Sequence, residues 1–533
     1  MRMKPCRSLT LAALTGALQL ASALPAMADE ALAFVPDEEL RALESGINVD
    51  ARLPDGSTAL HWAVYRGDVE KVKRLIEAGA DVTLATNYGV APLQLAAERG
   101  DPELVRLLLK AGADPESPNA EGQTALMTVA RTGNVEAAAL LLKAGANINA
   151  RESWGGQTAL MWAAARGHPQ MVRFLVSKGA DVDARSTVRD WPRKVTSEPR
   201  EKNMDRGGFA ALHYAAREGC VECARELVKG GADIDIEDGQ GTTPLVLAIM
   251  NLRFDVAKYL IEAGADVNLW DRFGVTPLYA AVDVNRIPQG GRPDVPPTDR
   301  TTAMDIIHML LERGANVNAQ IKLPLPARHS LAGGRADKRV TNIGATPLMR
   351  AALGADLEAM KVLIEHGALV DLPLADGMTP MLAAILPSQS RAPNKTEEDA
   401  LAAMRLLKEA GADPHKAVTL SDKALHLIHV HGMDEARVRG STALMMATVR
   451  GWTKVMKQLV EWGVDVNAKD ADGLTALDYA MGRARVGFLQ QRPDPRHDLA
   501  SLLRELGATE ENPDIPPWEP LMVPKITARV PDM

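Results

Sequence analysis

The feature that most constrains this chain is a repeat of about 33 residues that fills nearly everything after the first 50 positions. Each unit opens on G-x-[TA]-[PA]-[LM], passes through a short segment and a longer one rich in Leu and Val, and closes on G-[AV]-[DN]. The opening glycines are Gly56, Gly89, Gly122, Gly156, Gly208, Gly241, Gly274, Gly344, Gly377, Gly440 and Gly473. Most neighbours stand 33 or 34 apart, and the longer gaps are that period plus an insertion. Repeats of this length cannot each bury an apolar face alone, so the period predicts a stack in which every unit completes its neighbour.

The spacing inside a unit is helical. Leu60, Ala63, Val72 and Leu75 recur one unit later as Leu93, Ala96, Val105 and Leu108, and both sets are expected in the core. Asp55-Gly56 and Asp376-Gly377 mark turns, the Thr of TALH is placed to cap an inner helix, and Gly79 is placed to end an outer one. An aromatic share of only 4% fits helices that approach closely through small side chains.

The run GQTALMWAAARGH from Gly156 to His168, with MVRFLVSKGADVDA after it, resembles the ankyrin repeat. The resemblance implies a mainly α solenoid of about eleven helix-turn-helix units with short β-hairpin fingers, and it implies binding rather than a reaction. The segment from Trp191 to Val228 makes the chain similar to exported bacterial ankyrin-repeat proteins. In the family, the position of His61 and His213 carries a histidine that hydrogen-bonds within its repeat. Here Gln94, Met127, Met161, Val246, Tyr279 and Met349 take that position elsewhere.

The first 28 residues follow a different logic. Arg2, Lys4 and Arg7 precede an apolar run from Leu9 to Leu20, and Ala26-Met27-Ala28 forms an A-x-A site, the three parts of a secretory leader. Cleavage is expected to expose Asp29 and to deliver a soluble periplasmic or secreted chain. The run is short for a membrane span, so no insertion is expected after cleavage. Residues 29–508 form the repeat domain, with 29–50 as its N-terminal cap, and 509–533 form a Pro-rich tail around Trp518. Losing the leader takes the formal charge from −8 to −11, which argues against a nucleic-acid binder.

Six insertions break the period. Those near 185–206, 320–343 and 414–439 lengthen fingers, and those near 286–299, 387–397 and 487–497 separate paired helices. The fingers carry +3, +4 and +1, which leaves −19 on the rest of the mature chain. Basic fingers on an acidic body fit the steering of an acidic partner, with Arg193, Lys194, Arg335 and Arg339 as the candidate charges; the same pattern fits fingers that dock on their own solenoid. From the ankyrin resemblance, Tyr65, Tyr88, Trp154, Phe209 and Phe273 occupy positions exposed on fingertips or the inner-helix face. They are therefore the candidate anchors of an interface with a protein partner.

Chemistry-bearing motifs are few. Cys220 and Cys223 form C-x-x-C at the start of an outer helix, but without the βαβ unit of thioredoxin-like proteins. A structural disulfide or an inert pair is the favoured expectation, with thiol redox and metal handling as alternatives. His426, His429 and His431 lack a confirming carboxylate or cysteine, and the loop at Asp470-Ala471-Asp472-Gly473 has Ala468 and Tyr479 where a calcium loop needs acids. No phosphate loop, nucleophile elbow or HExxH occurs, so neither catalysis, a metal nor a cofactor is expected.

Overall fold

The computed structural model describes residues 48–192, 203–285, 299–323, 343–375, 377–386, 395–419, 440–484, 494–509 and 511–512. Among these residues lie twenty-two α-helices that alternate between inner and outer partners, beginning with Ala59–Arg66 and Val69–Glu77. The proposed leader, the proposed cap except its last three residues, most of the Pro-rich tail and the residues Arg193, Lys194, Arg335, Arg339, His426, His429 and His431 lie outside the described residues.

Each pair follows from local chemistry. Thr124, Thr243, Thr346, Thr379 and Thr442 start inner helices by accepting a hydrogen bond from the N–H three residues on. Asp68, Asp101, Asn134 and Asp356 do the same for outer helices. The sharp bend between the two needs a residue in the left-handed region, and Gly67 supplies it at φ 74° while donating to the Ala63 and Val64 carbonyls. The inner helix then buries Leu60, Ala63 and Val64 against Val72 and Leu75 of the outer helix. Leu93, Ala96, Val105 and Leu108 repeat the arrangement as expected, all within 1% of complete burial.

The chain divides into two compact bodies, one of residues up to Ala163 with Lys178–Ala180, the other of Ala164–Ser177 with everything from Asp181. Both use the same two lines of stitching between consecutive repeats. One joins fingertips through the backbone, as Asn87 N–H to Asp55 and Ser153 N–H to Glu121 in the first body, and Gly239 N–H to Gly207 and Arg272 N–H to Gln240 in the second. The other runs through the closing G-[AV]-[DN] segment. There an acidic or amide side chain accepts the N–H of the next repeat: Asp50 from Asp81 at 2.9 Å in the first body, then Asp183 from Asp233, Asp235 from Asp266 and Asn268 from Asn316 in the second.

Three lengthened fingers are closed at the base by one motif. Ser186 N–H donates to Phe209 and Gly208 N–H returns to Ser186; Ile321 pairs in the same way with Ala345 and Gly344, and Val418 with Ser441 and Gly440. Above the first base the chain forms an antiparallel pair, Arg189–Pro192 with Asn203–Arg206, in a register that sets Arg189 opposite Arg206. It is the one strand pair among the described residues.

Candidate functional site

Tyr88 and Trp154, at 73% and 69% exposure, are the two most exposed large apolar side chains among the described residues. Tyr88 directly precedes its opening glycine, Trp154 stands two residues before Gly156, and both belong to the first body. The Trp154 tip is held rigidly, because the buried Glu152 carboxylate accepts the N–H groups of Trp154, Gly155 and Gln157 at 2.6–3.0 Å. A side chain presented on a fixed loop loses little freedom when it is covered.

Phe273 stands directly before its opening glycine, as Tyr88 does, but is completely buried, so the expectation that it is exposed is wrong. The reason lies in the next repeat. Lys322 and Leu323 both donate backbone N–H groups to the Phe273 carbonyl, which lays the start of a lengthened finger against the Phe273 backbone. The approach is so close that a Cβ on Gly274, at φ 87°, would meet the Lys322 nitrogen at 2.8 Å. The exposed aromatic of this finger is Trp270, which the sequence reading missed; the Lys322 ammonium stands 3.7 Å from its ring centre.

Tyr65, on an inner helix, and Phe209, just before the inner helix Ala211–Glu218, are half-buried. Tyr65 meets Trp62 edge to face at 6.0 Å, and its carbonyl accepts from Arg99 Nη1 at 2.8 Å. Phe209 stacks on His213 at 5.1 Å and contacts Tyr214 edge to face at 5.6 Å, with Arg217 above the Tyr214 ring. The histidines act inside the stack. His61 Nδ1 accepts from Thr58 N–H, which leaves Nε2 to reach the Val90 carbonyl of the next repeat, and His213 links Ala210 to Thr242 in the same way. Burial lowers both imidazoles from the usual range, His213 to about 4, so each is neutral in these bonds at neutral pH. Gln94 reproduces the link by donating to the Ser117 and Gln123 carbonyls.

Ends of the inner helices differ sharply along the chain. In the first body Arg66, Glu98, Arg99 and Thr132 are exposed. In the second body the matching positions vary: Glu218, Val449 and Arg450 are exposed as well, whereas Asp283, Val284 and Leu353 are buried. There Arg350 Nε donates to Asp283 Oδ1, Asn285 Nδ2 donates to Asp356 at 2.7 Å, and burial together with Asp283 pushes the Tyr279 hydroxyl well up. Lys395 ends in the same interior, where its ammonium donates to the carbonyls of Leu353 at 3.1 Å and Ala383 at 3.3 Å. Burial lowers it to about 7, with Arg450 adding to the effect. Nothing in its sequence context marks Lys395, since a lone lysine inside the insertion near 387–397 reads as solvated.

Cys220 and Cys223 are joined as a disulfide, and Cys220 is the capping residue of the outer helix Val221–Lys229. Among the described residues no group of three or more potential metal-ligating side chains comes together. No described helix is long and apolar enough to cross a membrane.

Comparison with known proteins agrees with the repeat chemistry. The family model "Ankyrin repeats (3 copies)" matches residues 37–119, 93–186, 212–321 and 414–491, and "Ankyrin repeat" matches 343–373. Protein phosphatase 1 regulatory subunit 12A of Mus musculus is 40% identical over 73 residues, which make up 14% of this chain and 7% of that protein. The chain thus spans only a small part of that relative. Among solved structures, the ankyrin repeat domain of Bcl-3 aligns with 49% of this chain and all of its own at 26% identity, with a TM-score of 0.37.

Proposed function

This chain belongs to the ankyrin-repeat family, whose repeats generally mediate protein–protein interaction, and from that premise we propose that it is an exported interaction module. The partner is a folded protein gripped by the fingertips and inner-helix face of the repeats between residues 51 and 163. The observation that carries this reading is the pair of exposed aromatic tips, Tyr88 and Trp154, on the same body as the exposed arginines Arg66 and Arg99. Aromatic and arginine side chains dominate the energetics of interfaces, and the rigid Trp154 loop is suited to that use. The matching face near Pro277–Ile385 is buried, which leaves it less to offer. Export is supported by the leader pattern and by a disulfide, a bond that persists in oxidising compartments. The basic excess counted in the fingers supports electrostatic steering of an acidic partner surface through Arg193, Lys194, Arg335 and Arg339. No reaction is part of the proposal.

The test begins with photo-crosslinking side chains placed at Tyr88 and Trp154, and at Leu369 as a control, in the exporting cell. One shared protein captured from the first two positions, but not from Leu369, is the expected result. Tyr88→Ala and Trp154→Ala should then speed its dissociation by about 1–4 kcal/mol each if they are anchors. Reversing the four basic finger residues to Glu should slow association and flatten its salt dependence. Unchanged kinetics in both variant sets would overturn the reading.

A further inference from the structure

We propose that the Cys220–Cys223 disulfide is an exchangeable redox pair that reacts through Cys220 with a dithiol. This activity is separate from partner binding and does not rest on it.

Three observations support the assignment. The two cysteines differ in exposure: Cys223 is completely buried, whereas Cys220 is partly exposed at the turn after Gly219. A nucleophile from solvent therefore reaches only one end of the bond. Secondly, Cys220 occupies the capping position of the helix Val221–Lys229, and its Sγ accepts the Cys223 N–H at 3.2 Å. Unsatisfied N–H groups at a helix start favour an anionic sulfur, so Cys220 is stabilised as a thiolate when it is displaced from a mixed disulfide. The Arg253 side chain packs over Gly219, and the nearby Glu222 is paired with Arg225 at 3.5 Å. Thirdly, the covalent bond is redundant for the fold. Sibling outer helices begin on Asp68, Asp101, Asn134 and Asp356, each capped by a side-chain hydrogen bond to the N–H three positions on and by no covalent bond there.

The chemistry balances with one dithiol. Its thiolate attacks Cys220 Sγ, forming a mixed disulfide as the Cys220–Cys223 bond breaks, and Cys223 leaves with the electron pair and takes a proton from water. The second thiolate of the dithiol then attacks its own sulfur in the mixed disulfide and releases Cys220. The protein disulfide is reduced by two electrons and the dithiol is oxidised to a disulfide.

The experiment uses the mature wild-type chain in native buffers poised with reduced and oxidised dithiothreitol, followed by alkylation and mass measurement. The expected result is reversible appearance of two alkyl adducts, with helical circular dichroism unchanged and full reoxidation by glutathione disulfide. In parallel, Cys223→Ser should trap a mixed disulfide with glutathione at Cys220, and its thiol should react with a chromogenic disulfide at pH 6 at least tenfold faster than a model cysteine peptide. Adducts that appear only after denaturation, or only together with loss of helix, would make the bond structural and overturn the proposal. So would a Cys220 thiol that reacts no faster than the peptide.

Discussion

The repeats between residues 51 and 163 and those between Pro277 and Ile385 are written in the same code, yet they use their inner helices in opposite ways. The first leave Arg66, Glu98, Arg99 and Thr132 in water, and their fingertips hold out Tyr88 and Trp154. The second take Asp283, Arg350, Asp356 and Lys395 out of water and close over Phe273. A repeat position therefore does not carry a fixed environment. The neighbouring unit and its insertion decide whether a given side chain is a surface for a partner or a part of the interior.

The sharpest way to break this comparison is to remove a cation from each region. Arg350→Met strands the Asp283 carboxylate in a site where its side chain is 9% exposed, and should destabilise the local fold by about 3–5 kcal/mol. Arg99→Met loses one hydrogen bond in an exposed setting, and about 1 kcal/mol or less is expected. Hydrogen exchange of the helices Pro347–Gly354 and Pro92–Arg99 reads the two effects separately; equal losses would abolish the distinction.

The same contrast can be drawn at the fingertip. Phe273→Ala should cost about 3–5 kcal/mol through the cavity it leaves, and Trp154→Ala within about 0.5 kcal/mol, both measured by chemical denaturation. A third and smaller effect sharpens the picture of the buried region. Because Lys395 ionises at about 7 in the folded chain and near 10.4 when unfolded, the unfolded state holds more protons between those values. Stability is thus lowest below pH 7 and rises as the ammonium is lost, on the order of 2 kcal/mol between pH 7 and 9. Lys395→Met should flatten that rise, whereas a variant with the slope intact would place the lysine in water.

Much of this was legible in advance, for a physical reason. Period and helical spacing report contacts within a unit and between adjacent units, so Leu60, Val72, Leu93 and Val105 were placed in the core from their spacing alone. The histidine role also followed from its motif: His61 and His213 do hydrogen-bond locally, and they also reach the next repeat. What spacing cannot report is how a neighbour of unusual length changes the surroundings. Phe273 matched Tyr88 by position, directly before its opening glycine, yet at Phe273 the backbone of Lys322 and Leu323 is bonded to the tip. Asp283 and Arg350 lie 67 residues apart and read as ordinary solvated charges. A faint signal was present, since Val284, Leu353 and Leu386 are apolar where the early repeats carry Arg, Glu or Thr.

The two-bond clasp under each lengthened finger makes the insertions interchangeable. Ser186 with Phe209, Ile321 with Ala345, and Val418 with Ser441 return the chain to the same register whatever lies above them. Selection can therefore lengthen, shorten or replace a finger without renegotiating the stack, much as antibody loops vary on a constant frame. A designer has the same liberty: an epitope, a protease site or a fluorophore-binding peptide grafted above any of the three clasps should leave the helices below it unaware of the change.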